Sequence, residues 1–423
     1  MESLLTAKEL TRLEQPFRDI FSDGDRGRPD NVTGSGAFEL AKHGAVVWNK
    51  WRILFPDQKW KELHFPSRSI FDEFNFSGFN FPANISFTGY PFLKLALFRE
   101  AVFEGDVSFN EAIFVDRANF SYAVFKGNAT FRGALWTKEK DSNFQGAQFF
   151  GTADFSAVNW NQFKKKYLTD PDDRRPDNEF FLEKRGLNTE VMAHLNLTNV
   201  TFFTRAIFDG REFSSLRLEN TVFHKAPEFI GSKLHHRTLL KNTKFPKEFG
   251  YAVNEYRVLK NAFAELKNTR QELRFFRREM QEEMHNANGS LRRWLQAYQF
   301  FSDFGFSVCR PLMGLIALFV ISLSASLLLA YRNEIAIAAS PSLKGSYWES
   351  VDWGMTFKYI SFSFGNALPF FSGGKFDSHL IYELFGTGAV PEVVKIIALG
   401  QQCLSLVFWF LIGLAIRNKF KLK

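Results

Sequence analysis

Through the first half of the chain, aromatic side chains return every five or six residues. From Phe71 they fall at positions 71, 76, 81, 87, 92, 98, 103, 109, 114, 120, 125 and 131, then at Trp136. The step resumes at Phe144, Phe149, Phe155 and Trp160, and a second array runs through Phe203, Phe208, Phe213, Leu218, Phe223 and Phe229. A step of five sweeps about 500° round a helix and so holds no helical face; along a flat strand every odd step changes side. The residue two before the aromatic is usually small: Ala96 before Phe98, Ala101 before Phe103, Ala112 before Phe114, Ala118 before Phe120. Two apart is one side of a short extended segment. Gly105, Asp106, Asn110, Asp116, Ser121, Gly127, Asn128 and Gly133 are turn formers between those segments. Each unit thus points one small and one large side chain inward and then turns, which predicts a square coil with four faces.

The run AVFEGDVSFNEAIFVDRANFSYAVFKGNATFRGALW at 101–136 resembles the pentapeptide-repeat family, whose units read roughly A-x-F-x-x. The resemblance implies a right-handed quadrilateral β-helix. Alternation of five and six departs from a strict five and predicts looser corners on alternate faces. At about 22 residues per coil, residues 71–160 predict roughly four coils and 200–247 about two, ~4.8 Å apart. One coil cannot bury its own faces, so stacking is obligatory. Residues 161–200 break the period, are rich in charge and Pro, and read as a charged insertion between the array at 61–160 and a second array at 201–250. Residues 1–60 read as a helical N-terminal cap. AKHGAVVWNKWRILFP (41–56) has helical apolar spacing and ends at Pro56, and its Trp-Asn-x-Trp segment resembles one that the family often carries before its repeats.

From about Tyr251 the period becomes helical, with Tyr256, Leu259, Phe263, Leu266, Leu273 and Phe276 at steps of three, four or seven. Residues 251–310 read as amphipathic neck helices, either a plain linker or a subunit-contacting neck. Asn286–Gly289 breaks the first helix, and Arg292, Arg293 and Trp294 on the next suit a headgroup boundary. Two uncharged runs follow, 311–331 and 396–416. At 1.5 Å per residue each reaches about 31 Å, enough to span a hydrocarbon core. Arg292, Arg293 and Arg310 precede the first run, and Arg417, Lys419, Lys421 and Lys423 follow the second. By the Lys/Arg bias both termini face the cytoplasm, with Arg292, Arg293, Trp294, Arg310, Arg417 and Lys419 as interface anchors; Lys395, beside the second run, opposes the rule weakly.

The 311–423 segment therefore reads as a two-span membrane domain with a loop, 350–374, between the spans. Val351–Phe364 predicts a short helix, and Gly365 and Pro369 predict a turn into extended backbone. Span, short re-entrant helix, turn and span resembles the two-transmembrane channel family in architecture. The T-V-G-Y-G filter of potassium channels is absent, and SFGNALP stands in its place. The expected pore lining is Ser361, Ser363, Gly365 and Asn366, whose hydroxyl, amide and carbonyl oxygens suit a partly dehydrated ion. FGNALPF with the closing RNKFKLK also resembles the C-terminal membrane module of many bacterial pentapeptide-repeat proteins.

Composition sharpens this picture. Phe makes up 52 of 423 residues, as a repeated structural position demands. The net charge of +8 divides as 0 over 1–60, +2 over 61–250, +3 over 251–310 and +3 over 311–423. A nearly neutral repeat has no basic stripe for nucleic acid, and it is not the acidic DNA mimic by which some soluble family members protect topoisomerases. Two cysteines, Cys309 and Cys403, exclude a disulfide framework. No phosphate loop or H-E-x-x-H occurs, and His235-His236 stands without metal-spaced partners, so neither an enzyme nor a cofactor is expected. The fold expected is mixed: a pentapeptide-repeat solenoid, a helical neck, and a two-helix transmembrane domain with a pore-like re-entrant loop. The function expected is an oligomeric ion channel or ion-leak protein of the bacterial inner membrane, fourfold by architectural analogy, with membrane lipid and monatomic ions as partners. The alternative is a membrane-tethered scaffold that presents its rod to a cytoplasmic protein.

Overall fold

The computed structural model describes residues 27–28, 31–32, 40–54, 63–64, 75–81, 84–137, 140–159, 161–162, 189–246, 251–338, 353–368, 378–385 and 389–421. It forms two compact units, residues 1–282 and 283–423.

Unit 1 is a quadrilateral β-solenoid of about five turns. Its strands are two or three residues long and stack into four parallel sheets of three, five, six and six strands. Register is kept by the inward positions: Ile85 pairs with Val107, Val107 with Ala129, Ala129 with Ala153 and Ala153 with Ala206. The rings stack in columns. Phe98 lies 4.8 Å from Phe120, Phe109 lies 4.9 Å from Phe131, and Phe125 lies 4.5 Å from Phe149, each pair nearly coplanar. These distances match the spacing of hydrogen-bonded strands, so one rise satisfies the backbone ladder and the offset ring stack together. Each of these fully buried Phe side chains contributes roughly 1.5–3 kcal/mol.

The five/six alternation has a backbone cause. Every five-residue step from Phe76 to Trp136 holds one left-handed residue just before a buried one, Phe79, Tyr90 or an alanine: Gly78, Gly89, Glu100, Glu111, Tyr122 and Gly133. The six-residue steps turn without one, using an extra residue instead. At these wider corners Asp106 N–H is accepted by Asn84 Oδ1, Asn128 N–H by Asp106 Oδ1 and Thr152 N–H by Asn128 Oδ1, each one coil back.

Two expectations about the second array change. The two arrays are one solenoid: Phe149 stacks on Phe202 at 5.0 Å, and the strand His194–Asn196 pairs with both Asp141–Asn143 and Ser215–Arg217. The coil is therefore under way by Thr189–Met192 and not from 201, because Met192, Leu195 and Leu197 fill its inward positions and carry no aromatic signal. The second array also begins one residue earlier than the aromatic step indicates, with Phe202 inside and Phe203 outside, stacked on Phe150 at 4.4 Å. Phe71 and Trp160 lie outside the described residues.

Arg211 takes an inward position in the coil that follows Thr189. It sits two residues before Phe213, the place that Ala112 holds before Phe114 and Ala134 before Trp136. It is fully buried, and it donates to the carbonyls of Ala134 (3.0 Å), Phe131 (3.1 Å), Ser156 (3.2 Å), Phe155 (2.5 Å) and Thr189. Burial pushes the guanidinium down to about 9, so it still carries its proton at neutral pH.

Helices close both ends. Helix α1 (Gly44–Leu54) lays Trp48 and Trp51, both fully buried, over the first coil. Asn49 donates to Gly78 O (2.8 Å) and accepts from Asn80 N–H (2.9 Å), and Trp48 Nε1 donates to Asn80 O (2.9 Å). At the other end, α2 (Val253–Glu265) and α3 (Thr269–Asn286) bring Tyr256, Leu259, Phe263 and Phe275 into the same core as the Phe columns. Arg274 and Arg278 lie 5.2 and 5.0 Å from the centre of the Phe245 ring, and Arg274 donates to Thr243 O at 2.8 Å. Glu279 pairs with Arg257 and Lys260, each at 2.7 Å, and ties the two helices together. The apolar stripe expected of a neck thus serves as a C-terminal lid, since the last coil offers it a bare ring and unpaired carbonyls.

Unit 2 holds α4 (Gly289–Ser302), α5 (Cys309–Ala338), α6 (Trp353–Ala367), α7 (Ser378–Phe385) and α8 (Ala389–Lys421). Two stretches are long and apolar enough to cross a membrane: Cys309–Leu329, with mean hydropathy 2.5, and Pro391–Phe420, with 1.8. The helices α5 and α8 cross closely at Gly314, where an added Cβ would fall 2.6 Å from the Phe408 ring.

Candidate functional site

Unit 2 leaves much of its apolar surface exposed. Of the two apolar stretches only 11% and 33% are buried, and Leu312, Met313, Ile316, Val320 and Leu328 on α5 point outward, as do Ile396, Leu404, Val407 and Phe410 on α8. The buried side holds apolar clusters, such as Leu315 with Phe408, Leu411 and Ile412, and among them hydroxyls and amides. Ser326 on α5, Ser363 and Asn366 on α6, and Gln401 and Ser405 on α8 are all buried.

These groups form a seam where α5, α6 and α8 meet. Ser322 Oγ donates to Ser363 Oγ (3.3 Å), and Ser326 Oγ donates to Ser322 O (2.8 Å). From α8, Gln401 Nε2 donates to Ser363 O (3.4 Å), Gln402 Nε2 to Asn366 Oδ1 (2.9 Å) and Trp409 Nε1 to Ala367 O (3.2 Å). Three buried polar atoms of the seam have no hydrogen-bond partner among the described residues: Asn366 Nδ2, Gln401 Oε1 and Ser405 Oγ. None of these side chains ionises near neutral pH, so the seam offers dipoles and no fixed charge. Among the described residues no group of three or more His, Cys, Asp or Glu side chains is placed to hold a metal ion.

Residues 87–135 match the family model described as pentapeptide repeats, nine copies. The solenoid is a pentapeptide-repeat domain. No curated protein and no solved structure matches the chain. The family match covers part of the first half of the solenoid and says nothing of the seam, whose reading rests on its own geometry.

The four expected pore-lining residues do not share a face. Ser363 and Asn366 turn inward into the seam; Ser361 is exposed and Gly365 half-buried on the opposite side, beside exposed Phe357 and Phe364. Gly365 is not a turn. It lies inside α6, which continues to Ala367, and Leu368 N–H still bonds to Phe364 O at 3.0 Å. The constraint from a proline acts on the residue before it, so Pro369 reaches back only to Leu368. Pro369 itself, with the rest of 369–377, lies outside the described residues.

The six residues expected as anchors are all exposed. Arg292, Arg293 and Trp294 are exposed on α4, Arg310 on the first turn of α5, and Arg417 and Lys419 on the last turns of α8. Lys395, which opposes the charge rule, is bound to Glu392 (2.8 Å) and to Tyr382 OH (2.9 Å). Lys358 pairs with Glu383, and Tyr359 OH donates to Leu384 O at 2.9 Å, holding α6 on α7.

Sequence reasoning missed Ser322, Ser326, Gln401, Gln402 and Ser405. Their signal was present: SLSAS and LGQQCLS are polar interruptions inside uncharged apolar runs. Such residues in a span face the bundle interior and not the lipid.

Proposed function

We propose that the chain is a membrane protein that assembles into an ion-conducting oligomer, with the pentapeptide-repeat domain as its soluble sensor or scaffold. The carrying observation is the seam. Its polar atoms are buried while apolar side chains face outward, an arrangement suited to lipid outside and polar contents within. Asn366 Nδ2, Gln401 Oε1 and Ser405 Oγ want polar partners, and water or a monovalent ion supplies them without a fixed charge in the wall. Two spans cannot enclose a path alone, so conduction requires several copies. The excess of Lys and Arg beside the outer ends of both spans favours cytoplasmic termini in a bacterial inner membrane.

Planar-bilayer recording on the purified full-length oligomer tests this. Discrete unitary currents that are lost or changed in Asn366→Leu and Gln401→Leu, with assembly retained, support it; silence from a verified oligomer sinks it.

A second reading, a membrane-tethered scaffold without conduction, is favoured by one observation. Ser363 and Asn366 turn into packing between helices of one chain and not toward an open face. Under that reading both substitutions change stability in detergent and the bilayer stays silent.

A further inference from the structure

The elbow between α4 and α5 gathers cations from two helices. Three consecutive residues there adopt left-handed backbone: Asp303 (φ 52°), Phe304 (57°) and Gly305 (81°). Asn418 Nδ2, near the end of α8, donates to Gly305 O at 3.0 Å, and a Cβ on Gly305 would come within 3.0 Å of Leu414 Cδ2. The end of α8 is thereby held against the start of α5. Arg417 and Lys419 flank Asn418, and Arg310 opens α5 and donates to Gln299 O on α4 at 2.7 Å. All three cations are exposed, and none has a carboxylate within ion-pair distance among the described residues. The acidic side chain at the elbow is Asp303, half-buried and already engaged.

Next to this charge lies an apolar surface. On α5, Leu312, Met313 and Ile316 follow Arg310 and are exposed. On α4, Phe301 meets Phe408 of the second apolar stretch edge-on at 5.3 Å, and Trp294 and Phe300 are exposed. From the elbow, exposed aromatic rings lie along α4 and exposed aliphatic side chains along α5, beside the cations. Cations beside an exposed apolar surface suit an amphiphile with an anionic head.

We propose that this elbow binds an anionic phospholipid, its phosphodiester against Arg310, Arg417 and Lys419 and its acyl chains along the exposed residues of α5. The inference rests on the membrane reading given above. Each cation near an anionic lipid surface adds roughly a fivefold preference, so three give roughly 150-fold.

The test uses the full chain in detergent and follows its thermal unfolding midpoint while phosphatidylglycerol, phosphatidylcholine or inorganic phosphate is added. Phosphatidylglycerol is expected to raise the midpoint by several degrees, with no shift from the other two. The triple variant Arg310→Gln, Arg417→Gln, Lys419→Gln should lose the shift. A triple variant of equal charge loss on the solenoid, Lys225→Gln, Lys241→Gln, Lys244→Gln, should keep it. Equal shifts from phosphatidylcholine, a shift reproduced by inorganic phosphate, or a shift retained in the elbow variant each overturns the site. Where the triple variant does not fold, Arg310→Gln alone gives the same readout at smaller amplitude. A chain that stays monodisperse without detergent defeats the membrane reading itself; a flat lipid response from a detergent-requiring chain defeats only this site.

Discussion

Arg211 stands two coils beyond Ala134 in the same inward column, yet its Nη1 lies 3.0 Å from the Ala134 carbonyl. The coil between them runs through Ser156 and Ala157, bonded to Gly133 on one side and Asp209 on the other. Its own residue at that place, Val158, lies over Gly133 instead of filling the column. The inward column is next filled beyond Thr189. A long side chain with five donors replaces the missing inward group and satisfies the carbonyls left bare there.

Arg211→Leu is expected to destabilise the solenoid by about 3–5 kcal/mol, because several buried acceptors lose their donors at once. Arg211→Lys should recover little, since an ammonium cannot reproduce the planar fork. Urea unfolding of both variants, followed by far-ultraviolet circular dichroism, checks this; a loss below about 1 kcal/mol would show the carbonyls finding water.

Gly127 is fixed by its neighbour. A Cβ there would fall 2.5 Å from the carbonyl of Gly105 in the coil before, and one on Gly151 would fall 2.3 Å from the Gly127 carbonyl. Gly127→Ala is expected to cost more than the ~1 kcal/mol typical of a point change, because backbone and not a flexible side chain must move. Equal thermal midpoints for Gly127→Ala and parent would refute the close approach.

Phe202 and Phe203 give opposite outcomes. Phe202→Ala empties a core position and should cost about 3–5 kcal/mol. Phe203→Ala removes only a half-exposed ring and should cost less than about 1 kcal/mol. The reverse order would mean that the coil runs in the other register.

Burial raises the Asp209 carboxyl above its ordinary value, helped by Glu228 and Asp154 and opposed by the Ile230 amide and Arg205. Between the unfolded and the folded pKa the native state keeps a proton that the unfolded chain has released, so stability falls as pH rises through that window. Asp209→Asn keeps an oxygen for the Ile230 N–H, which now bonds at 2.7 Å, and has no charge to bury. It should be more stable than the parent at pH 7, with the difference closing as the pH approaches 4. A difference independent of pH would assign the effect to packing.

Removing α2 and α3 should uncover Phe245. A fragment of residues 40–250 is expected to bind a hydrophobic dye and aggregate, and one of residues 40–286 to remain monomeric. Identical behaviour in gel filtration would return these helices to the role of a linker.

The solenoid was legible because its core repeats one residue type: a column of Phe rings at a fixed rise writes a period that survives in the sequence. It fell silent where Met192, Leu195 and Leu197 take the same positions, and it slipped by one where Phe202 and Phe203 stand side by side. The lid was legible as an amphipathic helix, but nothing in a stripe such as Tyr256, Leu259 and Phe263 names the surface that it covers. The seam was half legible. Ser363 and Asn366 stood out beside a predicted turn, whereas Gln401 and Ser405 were hidden in a run read only for its average hydropathy. Which way a side chain points from α6 depends on helix phase, and the residues that set it are on α5 and α8.

The two end helices have a consequence for how copies of this chain meet. An open β-solenoid is a template: its terminal coil offers a ladder of free backbone groups on which another coil can polymerise. Here Asn49 occupies the groups at one end and Arg274 those at the other. Covered at both ends, the rod is a poor template for elongation, which favours self-association through its flanks or through the helices after residue 282.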